Sequence, residues 1–353
     1  MLPLDKPKIV WEPLPGSQTL SLICPAQVIL LHGSRGGGKS DAQLMRFRRH
    51  VGQGFGKYWR GVIFDREYKS LDDLVSKSTR WFPEFNDGAK FLASKADYRW
   101  VWPTGEELLF RVIKKPEDYW GYHGQEFPFI GHNELSKQPS EDLYDMMFSC
   151  NRSSYVPDKN DPNSPGEIPL ITFSTTNPVG PGHNWIKRRF IQQSPPGAIL
   201  KKYVNVFNPR TQKREDILKT QTHIFSSYRE NRNLAPEYVA ELEGITDENK
   251  RKAWLFGSWD VISGGMFDSV WRKDIHIVQP FEIPAGWKID RSFDYGKSKP
   301  FSVGWWAESQ GGDVLLPNGK LLRTIKGDLF RIAEWYGCEE GNKGLNLLAT
   351  EIA

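Results

Sequence analysis

The chain has 353 residues, 39% of them hydrophobic and 25% charged, a soluble globular composition long enough for two domains, each with its own core. No apolar run approaches the length of a membrane span, and the N-terminus lacks the basic-then-apolar layout of a secretory signal. Lys and Arg (47) barely exceed Asp and Glu (43), so charge permits a nucleic-acid partner without demanding one; Cys24, Cys150 and Cys338, far apart and without C-x-x-C spacing, fit reduced thiols in a cytosolic compartment.

Residues 1–26 are rich in proline and read as an N-terminal strap. A core α/β region follows over residues 27–262, with strand-like runs at Gln27–His32, Gly61–Asp65, Leu108–Val112, Phe127–Ile130 and Pro169–Ser174. Helical patterns at Asp41–His50, Ser70–Ser78 and Ser140–Phe148 alternate with them, which predicts a parallel sheet flanked by helices. Residues 153–168 form a turn-rich loop, residues 234–257 read as helices, and Gly264-Gly265 reads as a hinge within a linker over residues 263–286. A β-rich region begins near Gly286, with strands expected at Trp287–Tyr295, Phe301–Glu308 and Leu321–Tyr336, the last broken near Gly327, and a short helix near Leu345.

The run Val28-Ile29-Leu30-Leu31 leads directly into Gly33-Ser34-Arg35-Gly36-Gly37-Gly38-Lys39-Ser40, which satisfies the phosphate-binding pattern G-x-x-x-x-G-K-[ST]. Glycines let backbone N–H groups close around phosphate oxygens, and the following helix contributes its positive dipole end. Lys39 is placed to reach the β- and γ-phosphates and Ser40 to hold Mg²⁺, so ATP with Mg²⁺ is the expected ligand.

Such a loop needs a carboxylate near the metal and a group that orients the attacking water. Phe127-Pro128-Phe129-Ile130-Gly131-His132-Asn133-Glu134 offers Glu134 as the water-polarising acid. With Pro128 and Gly131 inside it, the segment reads equally as the metal-bearing strand or as a surface loop. Asn133 stands where an Asp is usual; its amide accepts a hydrogen bond from a metal-bound water but brings no charge. Thr172-Phe173-Ser174-Thr175-Thr176-Asn177-Pro178 ends the next strand, and reads either as a γ-phosphate sensor or as a capped turn.

The order of these motifs resembles the large terminase subunit of tailed double-stranded DNA bacteriophages, the motor that packages DNA into procapsids and cuts it. The resemblance is carried by Pro15-Gly16-Ser17-Gln18, by the phosphate loop with its internal Arg35, and by Tyr122-His123-Gly124-Gln125-Glu126 leading into Ile130 to Leu135. It continues through Thr176-Asn177-Pro178 to Phe190, Ala253-Trp254-Leu255-Phe256-Gly257-Ser258-Trp259-Asp260-Val261, and Phe293-Asp294-Tyr295-Gly296.

The resemblance implies a P-loop ATPase domain over residues 27–262 and a partial ribonuclease-H-like nuclease domain over 287–353. Within the first, Gln18 would contact adenine (Gln27, nearer the loop, is the alternative) and Arg35 would reach phosphate. Glu134 would be the catalytic carboxylate, Asn133 would sit at the ATPase Mg²⁺, and Ser174, Thr175, Thr176 and Asn177 would couple hydrolysis to movement. His132 departs from the usual apolar or aromatic residue. Arg66 and Arg152 are candidate arginine fingers or solvated charges, and Lys187-Arg188-Arg189 either touches DNA phosphates or is simply solvated.

In the second region Asp294 would be the first carboxylate of a two-metal nuclease site for Mg²⁺ or Mn²⁺, with Asp290 peripheral on the same side of the strand. The strands that the resemblance leads one to expect for the remaining carboxylates are missing from this sequence, so DNA cutting by this chain is not expected. The implied partners are double-stranded DNA, a portal protein, a small terminase subunit and further copies in a homo-oligomeric ring. No membrane is implied, and the place of action is the host cytoplasm, docked transiently on the procapsid. Two other readings stand beside this one: another P-loop enzyme such as a helicase or a small-molecule kinase, and an ATP- or DNA-binding scaffold without turnover.

Overall fold

The five apolar runs of the first region lie side by side in one sheet, in a computed structural model that describes residues 9–158, 160–162, 164–209, 211–261, 272–340 and 343–352. The hinge expected at Gly264-Gly265, the linker's first residues and the start of the strap fall outside the described residues. The chain divides into two compact units, residues 1–265 and 266–353.

In the first unit the elements run α1 (Ser17–Ile23), β1 (Val28–Gly33), α2 (Lys39–Arg48), β2 (Arg60–Asp65), α3 (Tyr68–Trp81), β3 (Lys90–Leu92), β4 (Arg99–Val101) and β5 (Glu107–Val112). They continue with β6 (Phe129–His132), α4 (Asp142–Met147), β7 (Ile171–Thr176), α5 (His183–Ile186), β8 (Leu200–Asn208), β9 (Lys213–Ser226), α6 (Pro236–Glu243) and α7 (Glu248–Trp254). The sheet order is β3-β4-β5-β2-β6-β7-β1-β9-β8. The six strands from β5 to β9 are mutually parallel, and β3, β4 and β8 add antiparallel edges.

Alternation along the central strands explains the layering. Ile29, Leu31, Ile63, Phe129 and Phe173 point to the face covered by α2 and α3, where they meet Leu44, Phe47, Leu71 and Leu74. Val62, Phe64 and Ile130 point the other way, onto Leu143 and Met147 of α4, and Leu30 meets Tyr144 and Trp185. Strands buried on both faces read as continuous apolar runs, as parallel strands between helices must.

The segment that sequence left open between strand and loop is strand β6, flanked by β2 and β7. Pro128 sits just before its first residue, where its carbonyl accepts from Ile171 N–H and its missing N–H costs nothing. Gly131 is required by space: a Cβ there would lie 2.8 Å from Ile63 Cγ1 and 3.2 Å from the Gln43 amide nitrogen. That amide, on α2, donates to the carbonyls of His132 (3.1 Å) and Phe173 (2.9 Å), stitching the helix to β6 and β7. The strap is not wholly irregular, since it contains α1, and β8 and β9 form a long ribbon the sequence reading does not anticipate.

The second unit holds α8 (Lys273–His276), β10 (Lys288–Asp294), β11 (Phe301–Leu315), β12 (Leu321–Glu340), β13 (Lys343–Gly344) and α9 (Ala349–Ile352), with the strands antiparallel in that order. β12 is one strand, and the irregularity expected near Gly327 is a bulge: Glu308 pairs with Leu329 and Gln310 with Lys326, so Gly327 and Asp328 face Ser309 alone, and a second shift lies between Trp305 and Trp306. Among the described residues no helix is long and apolar enough to cross a membrane.

Candidate nucleotide site

β1 lies between β7 and β9, and the next strand in the chain after it, β2, is three places away across β7 and β6. Strand order therefore reverses at β1, and the carboxyl ends of β1, β6 and β7 open onto a common crevice, the usual ligand position in such sheets. A cleft of about 790 Å³ occupies it, with Gly36, Gly37, Gly38, Lys39, Ser40 and Glu134 on its walls.

The loop is held from behind by β9 and by the end of the first unit. Ser34 N–H donates to the Ser226 carbonyl (2.9 Å), Ser34 Oγ accepts from Tyr228 N–H (2.6 Å), and Arg35 N–H donates to the Trp254 carbonyl (2.8 Å). Gly33 has φ of 140°, and a Cβ on it would run into the Ser226 carbonyl. Glycine is therefore needed there both for conformation and for close approach. Gly257 lies so close that a Cβ on it would be 2.6 Å from the Gly33 carbonyl carbon.

Lys39 is buried, and its ammonium donates to the Ser34 carbonyl (2.6 Å) and to Asn177 Oδ1 (2.9 Å). The other end of the same amide, Asn177 Nδ2, donates to both carboxylate oxygens of Glu134 at 3.3 and 3.4 Å. Burial brings the Lys39 ammonium down to about 8, with the Glu134 charge opposing the shift and Arg35 adding to it. Glu134 itself sits at φ 50°, a left-handed conformation uncommon outside glycine. It turns the chain from β6 into the short helical turn Leu135–Lys137 and aims the carboxylate at the cleft.

The predicted coupling residues are at this junction. Ser174, Thr175 and Thr176 are buried at the end of β7, and Thr176 Oγ accepts from Ser136 N–H at 3.0 Å, tying the strand to the turn after Glu134. Asn133 is engaged at both ends of its carboxamide: Nδ2 donates to Asp65 (2.8 Å) and Oδ1 accepts from Thr175 Oγ (3.3 Å). His132, fully buried, packs on Tyr144 with ring centroids 4.9 Å apart, and burial lowers it to about 3, so it serves as a neutral ring.

Gln18 faces the loop rather than solvent. Its Nε2 donates to the Gly38 carbonyl (2.7 Å) and its Oε1 accepts from Leu14 N–H (2.8 Å). Gln27 is at the opposite end of β1, against Thr220, away from the cleft. Arg35 lies over the Trp254 ring, 3.3 Å from its centroid, on the cleft wall. Arg66 makes a long contact to Gln138 (3.5 Å), and Arg152 donates to the Gly124 carbonyl (2.7 Å).

A second wall, formed by Asn231, Asn233, Leu234 and Tyr238, is invisible to the sequence reading. Asn231 donates to the Gly36 carbonyl (2.7 Å), and Leu234 and Tyr238 close on Gly36 so tightly that a Cβ there would lie 3.0 and 3.1 Å from them. Ser40 and Glu134 line the same cleft and suit a cation that arrives with a triphosphate, since Mg²⁺ takes few protein ligands and keeps phosphate and water for the rest. Among the described residues no cluster of three or more His, Cys, Asp or Glu side chains could hold a metal unaided.

No protein-family model matches the sequence, and no curated protein matches it. Among solved structures, the large terminase of a thermophilic bacteriophage in complex with ADP matches with 15% identity and a TM-score of 0.48, over 91% of this chain and 67% of that one. The large terminase of bacteriophage HK97 matches with 12% identity and a TM-score of 0.44, over 95% and 65%. The large terminase ATPase domain of Thermus phage P74-26 matches with 13% identity and a TM-score of 0.41, over 70% and 92%. The chain is similar in structure to phage large terminases.

The terminase resemblance also marks Lys187-Arg188-Arg189 for DNA and Asp294 for a nuclease metal. Lys187, Arg188 and Arg189 are each paired with acids: Lys187 with Asp260 (2.7 Å), Arg188 with Glu141 (3.3 Å), and Arg189 with Glu141 and with Asp145 (2.5 Å). In the second unit Asp294 ends β10, exposed and opposite Ser302, while Asp290 lies four residues earlier beside Lys288 (3.2 Å).

Proposed function

We propose that this chain is the ATP-hydrolysing motor subunit that moves double-stranded DNA into a viral procapsid. The observation that carries the ATPase reading is the chain Lys39–Asn177–Glu134, which joins the phosphate-loop lysine to a carboxylate through one amide on the cleft wall. The order of motifs along the sequence supports the packaging role.

In this reading the triphosphate sits on the loop N–H groups at the start of α2. The Lys39 ammonium leaves the Ser34 carbonyl for the phosphate oxygens and so releases Asn177. Glu134 then orients the attacking water for in-line displacement, while Lys39 stabilises charge on the transferred group. Mg²⁺ bound with the nucleotide, held by Ser40, would neutralise charge on the β- and γ-oxygens. Loss of the γ-phosphate returns Lys39 to Asn177, and the Thr176–Ser136 bond carries that change into the turn after Glu134.

Leu234, Tyr238 and Trp254 offer the apolar surface a purine base needs. Residues 27–262 would form the ATPase domain and residues 287–353 the opening strands of the nuclease domain, with Asp294 its first metal carboxylate. A ring of copies, a portal protein, a small terminase subunit and transient docking on a procapsid in the host cytoplasm complete the proposal.

The test is DNA-stimulated phosphate release from the chain and from Lys39→Ala and Glu134→Ala. Release by the parent that falls at least 100-fold in both variants supports the reading. Equal release from all three removes it. A forked duplex unwound by the chain would instead favour a helicase.

A further inference from the structure

Three cations of the cleft, Arg35, Lys77 and Lys137, have no part in the scheme above. Lys137 ends the turn that begins one residue after Glu134, and its side chain lines the same cleft as Lys39, Ser40 and Asn177. The turn is fixed on both sides. Ser136 N–H donates to Thr176 Oγ, Ser136 Oγ donates to the Val179 carbonyl (2.7 Å), and Gly182 N–H donates to the Ser136 carbonyl (2.8 Å). The ammonium is fixed too: it donates to Asp65 Oδ1 (3.0 Å) and Oδ2 (3.3 Å) and to Ser70 Oγ (2.7 Å).

Asp65, the last residue of β2, is 1% exposed and is the hub of this arrangement. Besides Lys137 it accepts from Asn133 Nδ2 (2.8 Å) and from Glu67 N–H (3.0 Å). A buried carboxylate with this many hydrogen bonds on it is compensated, and it holds each donor in one place. The other cleft-lining cations are held differently. Arg35 lies on Trp254, and Lys77 pairs with the exposed Asp73 at 2.5 Å. Lys137 alone among these three is on the turn that follows Glu134.

The residue before Glu134, just after β6, is the neutral Asn133, so Glu134 has no second carboxylate beside it along the chain. The Lys137 ammonium is held at the cleft by Asp65 and Ser70, and exchanging one of those bonds for a phosphate oxygen favours the most anionic ligand. We infer that Lys137 contacts the terminal phosphate from within the same chain and that Asp65 is its positioning residue, so that the site discriminates triphosphate from diphosphate. This inference rests on the nucleotide reading given above.

The test is calorimetric titration of the full chain with a non-hydrolysable ATP analogue and with ADP, each with Mg²⁺. Lys137→Gln should weaken the triphosphate analogue about tenfold and leave ADP within about twofold, and Asp65→Asn should shift the ratio the same way by a smaller factor. Removing one member of the pair can unfold the chain, so the double variant Lys137→Gln with Asp65→Asn, which leaves no unpaired buried charge, is titrated as well. A ratio of affinities unchanged from the parent in the variants that fold overturns the inference. Failure of the parent to bind either nucleotide instead overturns the nucleotide reading itself, and parent binding lost in Lys39→Ala keeps that reading whatever Lys137 does.

Discussion

Trp259 donates its indole N–H to Nδ1 of His32 across 3.0 Å, although the two stand 227 residues apart. His32 immediately precedes the phosphate loop, and its Nε2 meets His223 Nδ1 at 2.9 Å; His223 Nε2 meets the Ser194 carbonyl at 2.8 Å. A carbonyl only accepts, so His223 carries its proton on Nε2 and accepts at Nδ1. His32 must then donate from Nε2 and accept from Trp259 at Nδ1. Both rings are neutral in this chain of bonds. Burial lowers both, and the Lys39 charge, like a proton placed on His223, would push His32 further down. Together with the Arg35–Trp254 bond and the approach of Gly257, this fastens residues 254–259 to the back of the phosphate loop.

Trp259→Phe keeps most of the ring and removes the donor, leaving a buried acceptor on His32 unpaired. A loss of about 1–3 kcal/mol in unfolding free energy is expected, with weaker nucleotide binding because the loop's support is loosened. Urea unfolding and a nucleotide titration measure both. Stability and affinity equal to the parent's would show that the bond contributes nothing to the loop.

Acid should unfold the first unit through its buried and half-buried histidines. His50 is lowered to about 4 and His132 to about 3, both first by burial, and His32 and His223 are lowered as well. The unfolded chain takes up protons below about 6.5 that these native rings refuse. Their contribution is therefore present in full above pH 6.5 and is lost as pH falls below it. For the fully buried His132 the slope is about 1.4 kcal/mol per pH unit. His132→Phe, which keeps the ring against Tyr144, should flatten the fall in stability between pH 6.5 and 4.5. Parallel pH profiles for the two proteins would contradict this assignment.

The residues that sequence makes legible are those whose signal is local. A loop of fixed spacing after an apolar run identifies Gly33 to Ser40, and strands buried on both faces announce themselves at β1, β2, β5 and β7. β8 is almost wholly exposed along its length, so it has no burial alternation to read, and β3 and β4 are three residues each. Asp65 carries a signal that the sequence reading leaves unused: it is an acid at the carboxyl end of an apolar strand, the same placement that singles out Glu134. The Asn231–Tyr238 wall and the His32–His223–Trp259 chain carry no such signal, because long-range tertiary pairing brings those residues to the loop.

Gly131 looks like a flaw in a strand until its neighbours are seen. Gly131→Ala places a methyl 2.8 Å from Ile63 Cγ1 and 3.2 Å from the Gln43 amide nitrogen, in the seam where α2 crosses β6. Overpacking of this kind costs about 1–3 kcal/mol, and here it also strains the amide bonds to the His132 and Phe173 carbonyls. The melting temperature should drop, and phosphate release should drop with it because Glu134 follows β6 by two residues. Unchanged melting would mean that α2 can lift from the sheet without cost.

Lys39 gives the site a proton signature that can be read without turnover. Its native value of about 8 lies below the ordinary 10.5, so the folded chain binds fewer protons than the unfolded one between those values. The burial penalty on the ammonium is present in full below pH 8 and is relieved as pH rises toward 10.5, worth on the order of 3 kcal/mol over the whole span. Polyphosphate bound against the ammonium favours the charged form and drives the value back up. Nucleotide binding near pH 8.5 should therefore take up a proton, and binding at pH 6.5, where Lys39 is already charged, should draw none from this group. Calorimetry in buffers of different ionisation enthalpy measures the uptake, and Lys39→Met should abolish it while any residual affinity becomes independent of pH across this range. Uptake in the parent equal at pH 6.5 and 8.5 would place the titrating group elsewhere and separate the lysine from the phosphates.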